Sequence, residues 1–303
     1  MIAPTMPRLT IHHKTEYRYA HPVAFGEHRI MLRPRDGHDL RVLSNNLEIA
    51  PEPMSLRWIH DVFGNSVAIA TFDERAENLV FVNTATVEHK PAGEFALTPD
   101  DPAYFYPFVY NDEEFPDLVQ FITPQYGDPN GEMSAWALNF LDPEGPTPTF
   151  RILTNMTHGI REAFAYRKRH EQGTQHPLDT LQTRSGTCRD YALFMIEALR
   201  RLGIAARFVS GYLSVHADRE HGYVGGGSTH AWVQVYLPSA GWIEFDPTNG
   251  IVGTSDLIRV AVARDPRQAI PLHGTYLGSA DAFVGMEVSI RVVSADADAE
   301  AES

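Results

Sequence analysis

The chain has one cysteine, Cys188, in 303 residues, and it stands where the hydrophobic pattern changes. Ahead of it, a polar stretch closes on Ser185-Gly186-Thr187. Behind it, Tyr191, Met195, Ala198 and Leu202 recur at the i, i+4, i+7, i+11 spacing of one buried helical face. Arg200 and Arg201 suit the last turn of that helix, and Gly203 suits its C′ stop. Cys188 is therefore expected in or just before a first helical turn. There, free N–H groups and the positive end of the helix dipole favour a thiolate.

A thiolate nucleophile needs a base, and the base needs an orienter. Residues 229–236 alternate like a strand with His230 near its start, and residues 241–246 end a second strand on Asp246, which Pro247 stops. His230 follows Cys188 by 42 positions, and Asp246 follows His230 by 16. A helix followed by two neighbouring strands can bring all three groups to one point. Blander readings stand beside this one. Cys188 could be a buried structural cysteine, and Asp246 could only cap the Asp-Pro-Thr turn. Gly186, Arg189 and Asp190 make the approach to Cys188 polar and turn-like, which argues against the first. Alternation puts Glu244 on the same face as Asp246, so Glu244 stays open as the acid.

Four blocks carry a resemblance: Gly186-Thr187-Cys188-Arg189-Asp190-Tyr191-Ala192, the run 202–212, His230-Ala231-Trp232, and Gly241-Trp242 leading to Asp246-Pro247-Thr248. In that order they resemble the transglutaminase-like superfamily of papain-fold cysteine enzymes. The resemblance implies an α+β fold whose core is a cysteine-bearing helix packed on an antiparallel sheet. It implies Cys188 as nucleophile, His230 as general base and acid, and Asp246 as its orienter. The implied reaction is acyl transfer from a peptide or carboxamide through a thioester. Resolution by water makes a protease or amidase, with a slight lean that way, and resolution by an amine makes a transglutaminase. An oxyanion hole would take the Cys188 backbone N–H and a second donor from upstream. Tyr166 is the candidate for that donor, with packing as its alternative. Trp232 and Trp242 are expected around the triad. No calcium loop is visible, and no metal or cofactor is expected. The rival function is a non-catalytic peptide-binding module that keeps the fold, which the intact Cys, His and Asp speak against.

The rest of the chain divides by its pattern. Residues 1–95 read as an antiparallel β-sandwich, with strand-like runs at 9–19, 29–32, 40–49, 56–62, 67–72 and 79–87. Pro22 is expected to break the first run, and Gly64-Asn65 to turn a hairpin. Tyr17-Arg18-Tyr19, Leu32-Arg33-Pro34-Arg35 and Asp61-Val62-Phe63-Gly64-Asn65 resemble the region that precedes many bacterial transglutaminase-like domains. His12 and His13, adjacent in a strand, are expected to be solvated. Arg33 and Arg35 are expected in structural ion pairs. Residues 96–147, rich in proline and aromatics, read as a packed connector with a short helix over 112–121, though the aromatics could instead line a peptide groove. Residues 148–265 form the catalytic core, opened by a helix with the stripe Phe150, Leu153, Met156, Ile160 and Phe164. Residues 266–294 are an extension with a strand, and 295–303 a disordered acidic tail. The glycine-rich run 214–227 could move over the site.

The balance of 25 Lys and Arg against 39 Asp and Glu gives a net charge of −14. That argues against nucleic acid or an anionic membrane as partner and leaves a protein or peptide substrate. One cysteine, no recognisable signal peptide and no apolar run near 18 residues read as cytoplasmic.

Overall fold

The first strand decides how the N-terminal part closes. In the computed structural model, which describes residues 7–90, 96–169, 173–214, 227–253 and 256–294, β1 runs unbroken over Arg8–Ile30. It is followed by β2 (Leu40–Ala50), β3 (Ser55–His60), β4 (Ser66–Thr71) and β5 (Arg75–His89) in the order β2-β5-β1-β4-β3, all antiparallel. Pro22 does not end the strand, contrary to expectation. The ladder to β5 jumps from Arg18 to Val23, and Pro22 sits in that gap, where no bonded N–H is required. The irregularity bends β1, so its two halves belong to facing parts of one curled, sandwich-like sheet. Tyr19, Leu79 and Phe81 from one half share a buried cluster with Phe25, Ile30, Ala68 and Ala70 from the other.

Two late strands complete this sheet. After the core the chain returns as β15 (Leu272–Leu277) beside the second half of β1 and β16 (Phe283–Ser294) beside the first. The alternation read over 284–292 is thus a strand of the N-terminal sheet. The expected tail, 295–303, lies outside the described residues.

The connector holds β6 (Phe105–Tyr106), α1 (Phe115–Ile122) and α2 (Glu132–Leu138). It packs, as expected. Tyr106 Oη donates to Leu202 O at 3.0 Å, and Tyr110 Oη accepts from Ala205 N at 2.8 Å. The core then runs through β7 (Thr147–Pro148), α3 (Thr149–Ala163), β8 (Ala165–Tyr166), α4 (Pro177–Thr183), β9 (Ser185–Gly186) and α5 (Cys188–Arg201). Strands β10 (Ala206–Leu213), β11 (His230–Leu237), β12 (Gly241–Asp246), β13 (Ile251–Val252) and β14 (Leu257–Ala263) form an antiparallel sheet in the order β13-β12-β11-β10-β14.

Helix α5 is central rather than amphipathic. The sequence gives it one apolar face, yet all but Arg189 and Arg201 of its residues are buried. It rests on the Phe208, Val233, Val235 and Phe245 face of the sheet, with Met156 and Ile160 of α3 and Met133 and Ala137 of α2 in the same cluster. Its polar members are therefore paired inside. Arg200 and Glu197, both with fully buried side chains, bond at 2.8 Å, and Arg200 also donates to the carbonyls of Phe121, Ala206 and Arg264. Gly203, at φ +74°, ends the helix in the left-handed region as its sequence position implies.

The N-terminal sheet meets the core at its edge strand, β14. Strand β4 is buried on both sides: Ala68 and Ala70 face its own sheet, while Val67 and Ile69 join the core cluster. Asn65 pins the contact. Its Nδ2 donates to Val262 O at 2.8 Å and its Oδ1 accepts from Val262 N at 2.9 Å, and Arg35 donates to the same Oδ1 at 2.7 Å. Arg35 therefore serves this turn, while Arg33 makes a loose surface pair with Asp36 at 3.5 Å. His13 is not solvated. It is 2% exposed, and its ring bonds Tyr212 Oη at 3.0 Å and Thr15 Oγ1 at 3.1 Å.

Candidate active site

Cys188 is the first residue of α5, and Thr187 is its N-cap. The entry is held by Asp190, which is fully buried. Asp190 Oδ2 accepts from Thr187 N and Thr187 Oγ1 at 2.8 Å each, and Oδ1 accepts from Gln175 N and Arg169 Nη1, also at 2.8 Å. Gly186 is needed for this closure, because a Cβ there would lie 2.8 Å from Asp190 Cβ. A short parallel pairing sets Tyr166 opposite Gly186, which brings its side chain beside that of Cys188. Burial raises the pKa of Tyr166, and the charge and hydrogen bond of Cys188 add to it. Tyr166 therefore keeps its proton and remains a donor. Cys188 itself is 6% exposed.

His230 opens β11, and Asp246 closes β12, the adjacent strand. The ring Nε2 lies 2.7 Å from Asp246 Oδ2, and both side chains are fully buried. Asp246 is held in turn by Thr248 N at 2.9 Å on Oδ1 and by Asn249 Nδ2 at 2.9 Å on Oδ2. The other ring nitrogen, Nδ1, is buried with no hydrogen bond of normal geometry. Burial by itself would lower the pKa of His230, but the charge and hydrogen bond of Asp246 outweigh it, and contact with Cys188 adds to the rise, to about 10. Burial likewise opposes ionisation of Asp246, and the charge and hydrogen bond of His230 overcome it, keeping its pKa below the usual value. A buried imidazolium–carboxylate pair thus stands with one ring nitrogen open and a thiol within reach.

Glu244, the rival acid, has another task. Oε2 accepts from Trp232 Nε1 and Oε1 from Gln234 Nε2, each at 3.0 Å, and Arg259 Nη1 reaches Oε1 at 2.7 Å. Arg259 in turn clamps Asp39 of the N-terminal part at 2.6 and 2.7 Å. Trp232 is fully buried and stacks on His230 with the planes 27° apart. Trp242 does not approach the triad. It packs against Phe121 and Tyr236 and under the Arg207 guanidinium, 3.8 Å from its ring centroid.

Comparison with known proteins identifies the family. Residues 142–247 match the transglutaminase-like superfamily, and residues 9–88 match the bacterial transglutaminase-like N-terminal region. This is a transglutaminase-like protein. It is 28% identical to an uncharacterized protein of Mycobacterium tuberculosis over 96% of this chain and 94% of that one. It is 34% identical to a protein-glutamine gamma-glutamyltransferase of Pseudomonas aeruginosa over 41% of this chain and 19% of that protein. In fold it is similar to the crystal structure of a cysteine protease candidate from Cytophaga hutchinsonii, with a TM-score of 0.70 at 20% identity over 96% of this chain and 91% of that one.

Within the transglutaminase-like core, Cys188, Tyr166, His230 and Asp246 converge. Asn249 and Gln175 were missed from sequence. Both sit in turn-rich segments, where their composition signals only a loop. Asn249 follows Asp246 by three positions, the spacing at which a turn folds back on itself, and that was its one available signal. Residues 215–226 of the glycine-rich run lie outside the described residues. Among the described residues no group of His, Cys, Asp and Glu could hold a metal ion, and no helix is long and apolar enough to cross a membrane.

Proposed function

We propose that this protein is a thiol acyl-transfer enzyme acting on a peptide or protein substrate. The observation that carries this reading is the open Nδ1 of a buried imidazole whose Nε2 is fixed on Asp246, beside the chain's one thiol. The Nδ1 proton of the imidazolium is the one that Cys188 has given up, and the sulfur attacks the carbonyl carbon of a carboxamide or peptide bond. The oxyanion forms against the Cys188 backbone N–H and the Tyr166 hydroxyl, which stays protonated. His230 returns the proton to the leaving nitrogen as the C–N bond breaks, leaving a thioester. Water or an amine then attacks the thioester, with His230 taking and returning one proton. Hydrolysis is the proposed outcome, in the cytoplasm, where a single free thiol stays reduced. A binding module would gain nothing from a buried ion pair with one nitrogen left open.

The test is mass spectrometry of glutamine-containing peptides incubated with the protein, with and without an added primary amine. The expected result is hydrolysed or deamidated product that C188A does not form. Equal product from C188A overturns the reading, and product found only with amine moves it from hydrolysis to transfer.

A further inference from the structure

The chain is strongly acidic, but the two segments that frame the thiol are not. Residues 165–169 and 184–190 lie side by side: Ala165 N donates to Arg184 O at 2.8 Å, and Arg167 N donates to Gly186 O at 2.9 Å. Together they carry Arg167, Lys168, Arg169, Arg184 and Arg189 against one acid, Asp190, in a protein where acids outnumber Lys and Arg by 39 to 25. Asp190 is buried and spent on Arg169 and the loop backbone. Among the described residues, Arg167, Lys168, Arg184 and Arg189 have no ion-pair partner. Arg167, Lys168 and Arg184 are exposed, and Arg189, next to Cys188, is half-buried. The charge of Arg167 reaches Tyr191, whose ring lies 6.4 Å from that of Tyr166. Unpaired cations on the two segments that flank one thiol form a local positive field in a molecule that otherwise repels anions.

We propose that these cations select an acidic peptide, whose carboxylates flank the carbonyl presented to Cys188. This rests on the acyl-transfer reading above and gives it a substrate class. The carboxylates pair with the exposed rim, and steering draws in acidic segments that the rest of the surface turns away. The same rim disfavours lysine-rich peptides by like-charge repulsion.

Because Cys188 is the only cysteine, its alkylation reads the field without a known substrate. Rate constants are measured with iodoacetate, an anion, and with iodoacetamide, its neutral counterpart. The ratio of the two is compared in wild type, in the triple variant R167Q/K168Q/R189Q, and in R57Q, a distant exposed control. The imidazolium of His230 also attracts iodoacetate, but it is common to all three proteins, so the change in ratio isolates the rim. The triple variant is expected to lower the ratio by roughly threefold to tenfold, with a smaller gap at high salt, while R57Q leaves it unchanged. A glutamine peptide flanked by glutamates is expected to protect Cys188 from iodoacetamide more than one flanked by lysines. A ratio unmoved in the triple variant, or acidic protection no greater than basic, overturns the substrate class and leaves the enzyme reading standing. A folded protein whose thiol reacts with neither reagent removes both.

Discussion

At the scale of single residues, Asp246 decides the charge of His230. Burial works against the imidazolium, and the neighbouring carboxylate does most to favour it. In D246N burial prevails, and the ring is neutral at neutral pH. Alkylation of Cys188 by iodoacetamide at neutral pH is expected to slow by about tenfold or more, since the thiol loses its cationic partner. The stability signature has a definite sign. His230 has a folded pKa of about 10 against an ordinary 6.5, so its contribution is full below 6.5 and is lost as pH rises toward 10. The depressed Asp246 contributes above 3.8 and loses its contribution as pH falls below that. The wild-type melting temperature should therefore fall between pH 7 and 10, and D246N should lack that fall. Tyr166 gives a different split. Y166F should leave alkylation within about twofold but cut peptide turnover by roughly 100- to 1,000-fold, the usual loss for one oxyanion donor. Loss of both together would make Tyr166 a packing residue.

At the scale of elements, α5 carries the sharpest energetic consequence. Its Glu197 and Arg200 are sealed in the core, and Glu197 also accepts from Gln125 N and Tyr126 N at about 3.0 to 3.1 Å. E197A strands a buried guanidinium and two backbone donors, so it should cost about 3–5 kcal/mol in urea unfolding. A loss under about 1 kcal/mol would mean that water reaches the pair. The same helix marks where sequence reading works and where it stops. Its start at Cys188, its stop at Gly203 and the strands bearing His230 and Asp246 were legible, because capping, turn chemistry and alternation are local. Its all-round burial was not, because Glu197 and Arg200 look like a solvated pair until the elements that enclose them are placed. Pro22 misled for a related reason: a proline ends a ladder only where its N–H would be bonded, and the bulge in β1 removes that need. His13 and Trp242 went astray because their partners, Tyr212 and Arg207, lie far off in the chain and leave no periodic trace. The glutamate at 244 could be separated from Asp246 only by seeing Arg259 beside it.

At the scale of the whole molecule, the N-terminal sheet and the transglutaminase-like core are joined by polar groups that neither could bury alone. Asp39 and Arg259 lead through Glu244 to the Trp232 that stacks on His230, so the curled sheet supports the site from behind. Strands β15 and β16 return the chain to that sheet after the core is complete, which ties both parts at both ends. His13 makes this union sensitive to acid. It sits between the two sheets, bonded to Tyr212 of β10 and Thr15 of β1, and burial lowers its pKa from 6.5 to about 4. The folded protein thus binds this proton less well than the unfolded chain, so stability falls as pH drops from 6.5 to about 4, by at most about 1.4 kcal/mol per pH unit. H13Q keeps a side chain that can bond both hydroxyls and cannot titrate. Its melting temperature should decline less steeply than that of wild type across this window, while above pH 7 the two curves should run parallel. Carboxylates that titrate in the same range are shared by both proteins and cancel in the difference. Identical slopes would mean that the joint admits water around His13 before the protein unfolds.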